Sequence, residues 1–217
     1  MSLYVLAVLE SIMHEISSGL LAPTIAVLLF LVAFVVFETG SLLVEYFSQR
    51  RKAQVNIPDL LDSFKGQKAE DIAVKIEASG LFRRQKSALG QLIQHRDLNA
   101  LSHQALARKL LANEELYYTR ITNRTDLVAR LGPMLGLMAT LIPLGPGLIA
   151  MGQGDTKTLA DALITAFDAT VTGLATAAVA YAISRLRKRW YEEYLSSMET
   201  LLESLLEVLP GETRIAK

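Results

Sequence analysis

The chain has 217 residues, 51% of them hydrophobic and 20% charged, and its formal net charge is zero. Such an apolar chain is unusual among soluble domains, and its length has room for about three membrane spans of ~20 residues with one small soluble region. Cysteine is absent, which excludes disulfides and thiolate metal sites.

Residues 1–19 are predicted to form an amphipathic helix on the outer membrane surface. Apolar side chains recur there at helical spacing, at Leu3, Leu6, Leu9, Ile12, Met13 and Ile16. The segment has no basic residue and is interrupted by Glu10 and Glu15, so it does not resemble a cleaved signal peptide.

Residues 20–47 are predicted to be the first transmembrane helix. Pro23 falls where a first turn tolerates proline, and residues 25–37 carry no charge. Glu38 lies near the inner end and has two interpretations, an interfacial carboxylate beside the basic residues 50–52 or a contact to a neighbouring subunit.

Residues 48–130 are predicted to be a cytoplasmic helical stalk without strands. Asn56 and Pro58 open one helix that Gly66 ends, and a second helix covers residues 69–78 with Gly80 as its stop. Helix resumes at residue 82 with a break near 97–99, and from residue 101 it continues into the second span. Acidic residues are interleaved with the basic ones, which argues against nucleic-acid binding.

The second span is predicted at residues 131–151, and an outer turn at 152–157 joins it to the third span at 158–184. Pro133, Pro143 and Pro146, with several glycines, predict a bent or partly unwound second span. The tail, residues 185–217, is predicted to be a cytoplasmic amphipathic helix with an apolar seam of Leu201, Leu202, Leu205 and Leu206.

The third span carries two kinds of residue at helical spacing. Small residues form one stripe, at Ala162, Ala166, Ala169, Gly173, Ala177 and Ala180. Small side chains allow helices to approach closely, so this stripe and the apolar tail predict a homo-oligomer. Polar residues form an adjacent stripe, at Thr158, Asp161, Thr165, Asp168, Thr172 and Thr176.

Basic residues predict the orientation in the membrane. Of the 22 Lys and Arg residues, all but Lys157 lie either between Arg50 and Arg130 or after Tyr181. Because Lys and Arg collect in cytoplasmic loops, the N-terminus and the 152–157 turn are expected outside, and the C-terminus inside.

Polar side chains at membrane depth are costly and usually face protein or a water-filled path. Thr140 and Thr170 are expected near one level at mid-membrane, and with Asp168, Thr165 and Thr172 they predict an ion pathway. In the alternative interpretation the threonines bond to their own helix carbonyls and only pack. Asp168 is expected to be neutral, paired or hydrated, because no Lys or Arg lies at its depth.

Enzymatic chemistry has no support in the sequence. His14, His95 and His103 are dispersed and do not form a metal-ligand pattern, and no serine lies in a nucleophile elbow. We therefore expect no catalytic residue, no metal and no cofactor.

Two motifs resemble the MotA/TolQ/ExbB proton-channel family. The stretch GPMLGLMAT at residues 132–140 is similar to the family's second span, where Thr140 matches the pore threonine and Ala139 replaces a glycine. The stretch LADALITAFDATVTGLATAA at residues 159–178 is similar to its third span, where Thr170 matches a threonine three residues before a glycine. Thr165 stands where ExbB and TolQ members carry a glutamate, and Asp168 lies one turn further in.

The resemblance implies an all-α inner-membrane protein of the TolQ/ExbB branch, with three spans. Five copies would surround two single-span partners of the ExbD/TolR/MotB type, which bring an acidic residue, and protons or sodium ions would drive the assembly. A second hypothesis is a non-conducting membrane scaffold that recruits partners through its cytoplasmic helices. A transporter is disfavoured, because no internal repeat is visible.

Overall fold

The computed structural model describes residues 2–47, 56–64 and 66–215, in which helices are the only regular secondary structure and short turns connect them. The helices are α1 (Ser2–Gly19), α2 (Leu21–Glu45), α3 (Ile57–Asp62), α4 (Ala69–Ala78), α5 (Arg83–Gln94), α6 (Ala100–Gly152) and α7 (Thr156–Ile215). The all-α prediction is confirmed over this part of the chain.

Three stretches of helix are long and apolar enough to cross a membrane. They are Ser11–Glu45, Ala100–Gly152 and Thr156–Leu209. This confirms the predicted number of spans, since a span needs about 20 predominantly apolar residues.

The second candidate span is not unwound, so that part of the prediction was wrong. Pro133, Pro143 and Pro146 all lie inside α6, which is continuous from Ala100 to Gly152. Each proline removes one backbone hydrogen bond, but the helical turns on both sides of it retain their hydrogen bonds. In a membrane protein, neighbouring groups can satisfy the carbonyl oxygens that are freed.

A tight turn joins α6 to α7, as predicted. Gly154 takes a φ of +87°, a conformation that glycine adopts without steric cost. Asp155 then caps α7, because its Oδ1 accepts a hydrogen bond from the Thr158 backbone N–H at 3.1 Å. The hydrogen bonds from Thr158 lower the pKa of the Asp155 carboxyl, which keeps it ionised near the positive helix end.

The end of α4 differs from the prediction. The helix covers Ala69–Ala78 as expected, but Ser79 ends it in an extended conformation with ψ 161°. Gly80 does not take a positive φ, whereas Gly66 does, at +69°. The extended Ser79 already redirects the backbone, so no left-handed residue is needed there.

The chain divides into two compact units. The first unit contains Met1–Gly40 and Asn123–Arg185, and the second contains Ser41–Thr122 and Leu186–Lys217. The core of the second unit includes buried side chains from α4, α5 and the tail, among them Ile72, Leu89 and Leu201. The predicted seam is confirmed, because Leu201, Leu202 and Leu205 are buried and Leu206 packs against them.

Candidate functional site

In the first unit α6 and α7 approach so closely that their contact requires glycine. A Cβ added to Gly173 would lie 2.6 Å from the Gly132 carbonyl oxygen and 3.1 Å from the Gly136 Cα. A Cβ on Gly132 would lie 3.0 Å from the Ala177 Cβ. The two backbones are therefore in van der Waals contact along a small-residue seam, which is how membrane helices associate without larger side chains.

This contact accounts for the predicted small-residue stripe of α7 within a single chain. Ala166, Ala169, Ala177 and Ala180 are at most 9% exposed in the single chain. The stripe packs against α6 of the same molecule, and the leucine seam of the tail fills the core of the second unit. Both features from which a homo-oligomer was expected are thus occupied within one chain, and neither remains an argument for assembly.

The same seam fixes the register of the two helices. Ala139 and Ala169 lie in one buried cluster with Leu28 of α2. Thr140 and Thr170 directly follow those alanines in sequence, so their backbones lie at nearly the same level. The depth estimate made from the sequence agrees with this register.

The predicted pathway residues differ in exposure. Thr165 and Asp168 are exposed in the single chain, whereas Thr140, Thr170 and Thr172 are partly buried. Thr176, which lies closer to the C-terminus on the same stripe, is buried. The N-terminal part of the polar stripe of α7 is therefore left uncovered by the chain's own helices.

The threonine hydroxyls donate to carbonyls of their own helices. Thr140 bonds to Leu137 O at 2.6 Å, Thr165 to Asp161 O at 3.0 Å, and Thr170 to Ala166 O at 3.2 Å. Each hydroxyl oxygen keeps lone pairs that can accept a hydrogen bond or coordinate a cation. The arrangement provides acceptor oxygens rather than proton donors.

A buried polar contact between α6 and α7, near the C-terminal limit of the first unit at Arg185, was not predicted. Ser184 of α7 is 1% exposed and donates a hydrogen bond to Asp126 Oδ1 of α6. Thr125, beside Asp126, is fully buried. The two partners are 58 residues apart, so only the antiparallel register of α6 and α7 could have brought them together.

Glu38 and the histidines have local roles. Glu38 is 8% exposed and so is buried within its own chain, on a face that does not remain open to a neighbouring subunit. His103 is buried and its Nε2 lies 3.0 Å from the Leu92 carbonyl oxygen, while His14 and His95 are exposed. Within the described residues no group of His, Asp and Glu side chains is placed to hold a metal ion.

Two close-packed helices with a hydroxyl-bearing face, in a protein with three helices long and apolar enough to cross a membrane, define an all-α membrane protein with a polar helix face. The family model of the MotA/TolQ/ExbB proton channel family matches residues 80–200. The chain belongs to that family, and its role is therefore in energy transduction at a membrane. No curated protein matched the sequence.

Proposed function

We propose that this protein is the channel-forming subunit of an ion-driven membrane motor. In this proposal protons, or sodium ions, pass along Thr140, Thr165, Asp168, Thr170 and Thr172, and the resulting force is transmitted to a single-span partner with an acidic residue. Family membership supports the general role. The residues of this chain support the pathway.

The observation that carries the proposal is the exposure of Asp168. It lies on α7 within a candidate span, and the chain's own helices leave its side chain uncovered. A carboxyl group facing lipid costs at least about 3 kcal/mol, so in the membrane this face should be covered by protein or water. A partner helix with an acidic residue, separated from Asp168 by water or a cation, satisfies that requirement.

The proposed orientation places residues 48–130 and the tail in the cytoplasm. The N-terminus and the 152–157 turn then face the outside of the inner membrane. The distribution of Lys and Arg supports this orientation, since these residues collect in cytoplasmic loops.

The non-conducting scaffold remains a second candidate, and one observation favours it. Thr140 and Thr170 both donate to their own helix carbonyls, which is the behaviour expected of threonines that only pack. A valine substitution at these positions distinguishes the two functions, because valine preserves the shape of the threonine side chain and removes its hydroxyl oxygen. A channel should lose ion flux, whereas a scaffold should be unaffected.

We expect the Thr140→Val, Thr170→Val double variant to reduce ion flux in proteoliposomes by about fivefold or more, since losing one hydrogen-bonding group from a pathway costs about 1 kcal/mol. The matched control is Thr39→Val on α2, whose hydroxyl also bonds to its own helix, at Val35 O. Flux that is equal in both variants and wild type would favour the scaffold.

A homopentamer is expected by analogy with the family. Native mass spectrometry of the detergent-solubilised chain should give a complex of five subunits, the number that the family suggests, because the uncovered polar face of α7 needs a protein neighbour. A clean monomer under conditions that preserve the helical content would contradict the channel proposal.

A further inference from the structure

The second unit contains a cavity whose charge is mainly positive. It encloses about 550 Å³ and is lined by residues from the end of α2, the start of α5, α6 and the tail part of α7. The charged lining residues are Arg83, Arg84, Arg187 and Glu45. With Glu114, which pairs with Arg84 from outside the lining, three guanidinium groups stand against two carboxylates, so one positive charge is in excess and the site favours an anion.

Arg84 is held rigidly at the edge of the cavity. Its Nε and Nη2 donate to the Glu114 carboxylate at 2.8 and 2.9 Å, and its guanidinium carbon lies 3.6 Å from the centre of the Tyr117 ring. A guanidinium has five N–H donors in a fixed plane, and the pair with Glu114 occupies two of them. The remaining donors are pre-oriented, and the side chain is 45% exposed.

Arg187 forms the buried wall of the cavity. It is 2% exposed and donates to Glu45 Oε2 at 3.3 Å and to Ser41 Oγ at 3.1 Å. Glu45 also accepts from the Tyr191 hydroxyl at 3.4 Å, so this one carboxylate is shared between two donors. Because Arg187 pairs with Glu45 and Arg84 with Glu114, the surplus positive charge of the lining comes from Arg83, and Arg84 contributes N–H donors.

The tyrosines add neutral hydroxyls. Burial raises the pKa of Tyr118 to about 12 and also raises the pKa of Tyr191. The two rings are stacked with centroids 4.4 Å apart. Their hydroxyl groups stay protonated at physiological pH and add no negative charge to the cavity.

We propose that this cavity binds the phosphate group of an anionic phospholipid. Ser41, Val44 and Glu45 are the last residues of α2, the helix of the first candidate span, so the cavity adjoins the end of a membrane-crossing helix. Basic pockets at the cytoplasmic ends of such helices suit lipid headgroups, and guanidinium groups pair well with phosphate oxygens. Val44, Ile121 and the tyrosine rings give the apolar lining that a glycerol backbone needs and a free phosphate ion does not.

The test uses the full chain in lipid nanodiscs of phosphatidylcholine with a minor share of phosphatidylglycerol. Native mass spectrometry counts the phosphatidylglycerol molecules retained by wild type and by the Arg83→Gln, Arg84→Gln double variant. We expect the double variant to retain at least about tenfold less, which corresponds to about 1.4 kcal/mol, because it loses the charge-assisted hydrogen bonds of two guanidinium groups to the phosphate. Arg189→Gln is the control for the single Arg83→Gln variant, since it also removes one positive charge, from a side chain that is 79% exposed and outside the cavity.

Equal retention of phosphatidylglycerol by all variants would overturn the proposal. Displacement of the lipid by millimolar inorganic phosphate would also overturn it, because the ligand would then be a free anion. Because Arg84→Gln leaves the buried Glu114 without its partner, the double variant could fail to fold. Arg83→Gln alone leaves that ion pair intact and is expected to reduce retention several-fold, so unchanged retention in this variant also contradicts the proposal.

Discussion

Replacing Asp168 with asparagine is expected to reduce ion flux by about 100-fold or more. The amide keeps the size and the hydrogen-bonding capacity of the side chain but cannot carry a negative charge or exchange a proton, and removing such a group from a proton-transfer step typically costs at least that factor. Flux would be measured in proteoliposomes that contain the chain and its single-span partner. The side chain is exposed in the single chain, so the fold should not change.

The control for this variant is Asp161→Asn, which changes the same group on the same polar stripe two turns closer to the N-terminus of α7, where it is also exposed. We expect Asp161→Asn to keep most of the flux, since in the proposed orientation it lies near the membrane surface. If Asp168→Asn conducts as well as wild type with the same pH dependence, Asp168 is not in the pathway.

Gly173→Ala is expected to destabilise the first unit by about 1–3 kcal/mol. The added Cβ would lie 2.6 Å from a backbone oxygen of Gly132, and a backbone atom cannot move aside as a flexible side chain can. The helices would have to separate along the whole seam. Thermal unfolding in detergent should show a midpoint lower by roughly 3–10 °C.

Gly40→Ala on α2 is the matched control. A Cβ added at Gly40 has no atom within 4 Å, and alanine favours helix more than glycine does. This variant should be as stable as wild type or slightly more stable. A similar loss in both variants would mean that glycine at 173 is not required by helix contact.

The positions of the helices were predictable because short-range signals set them. Asn56 immediately precedes α3 and Pro58 lies in its first turn, and the Gly154 turn separates α6 from α7 close to where the sequence indicated. Proline was misinterpreted in the second span, since a long helix with hydrogen bonds on both sides of a proline can stay continuous.

What covers each helix face was much less predictable. The stripe that includes Ala169 and Gly173 would serve equally well against a neighbouring chain or against α6, and periodicity does not distinguish the two. The Asp126–Ser184 contact depends on the register of two antiparallel helices, and the arginine cavity is assembled from four separate helices. For the candidate site, sequence identified the polar residues and their common level but not their hydrogen-bond partners.

The most direct test of the channel is ion flux through the purified protein with its single-span partner in sealed vesicles. A pH gradient and a sodium gradient would be imposed in turn, with vesicles that contain either subunit alone as controls. The account predicts flux of one of these ions that requires both subunits. An assembled complex that passes neither ion above the level of protein-free vesicles would contradict it.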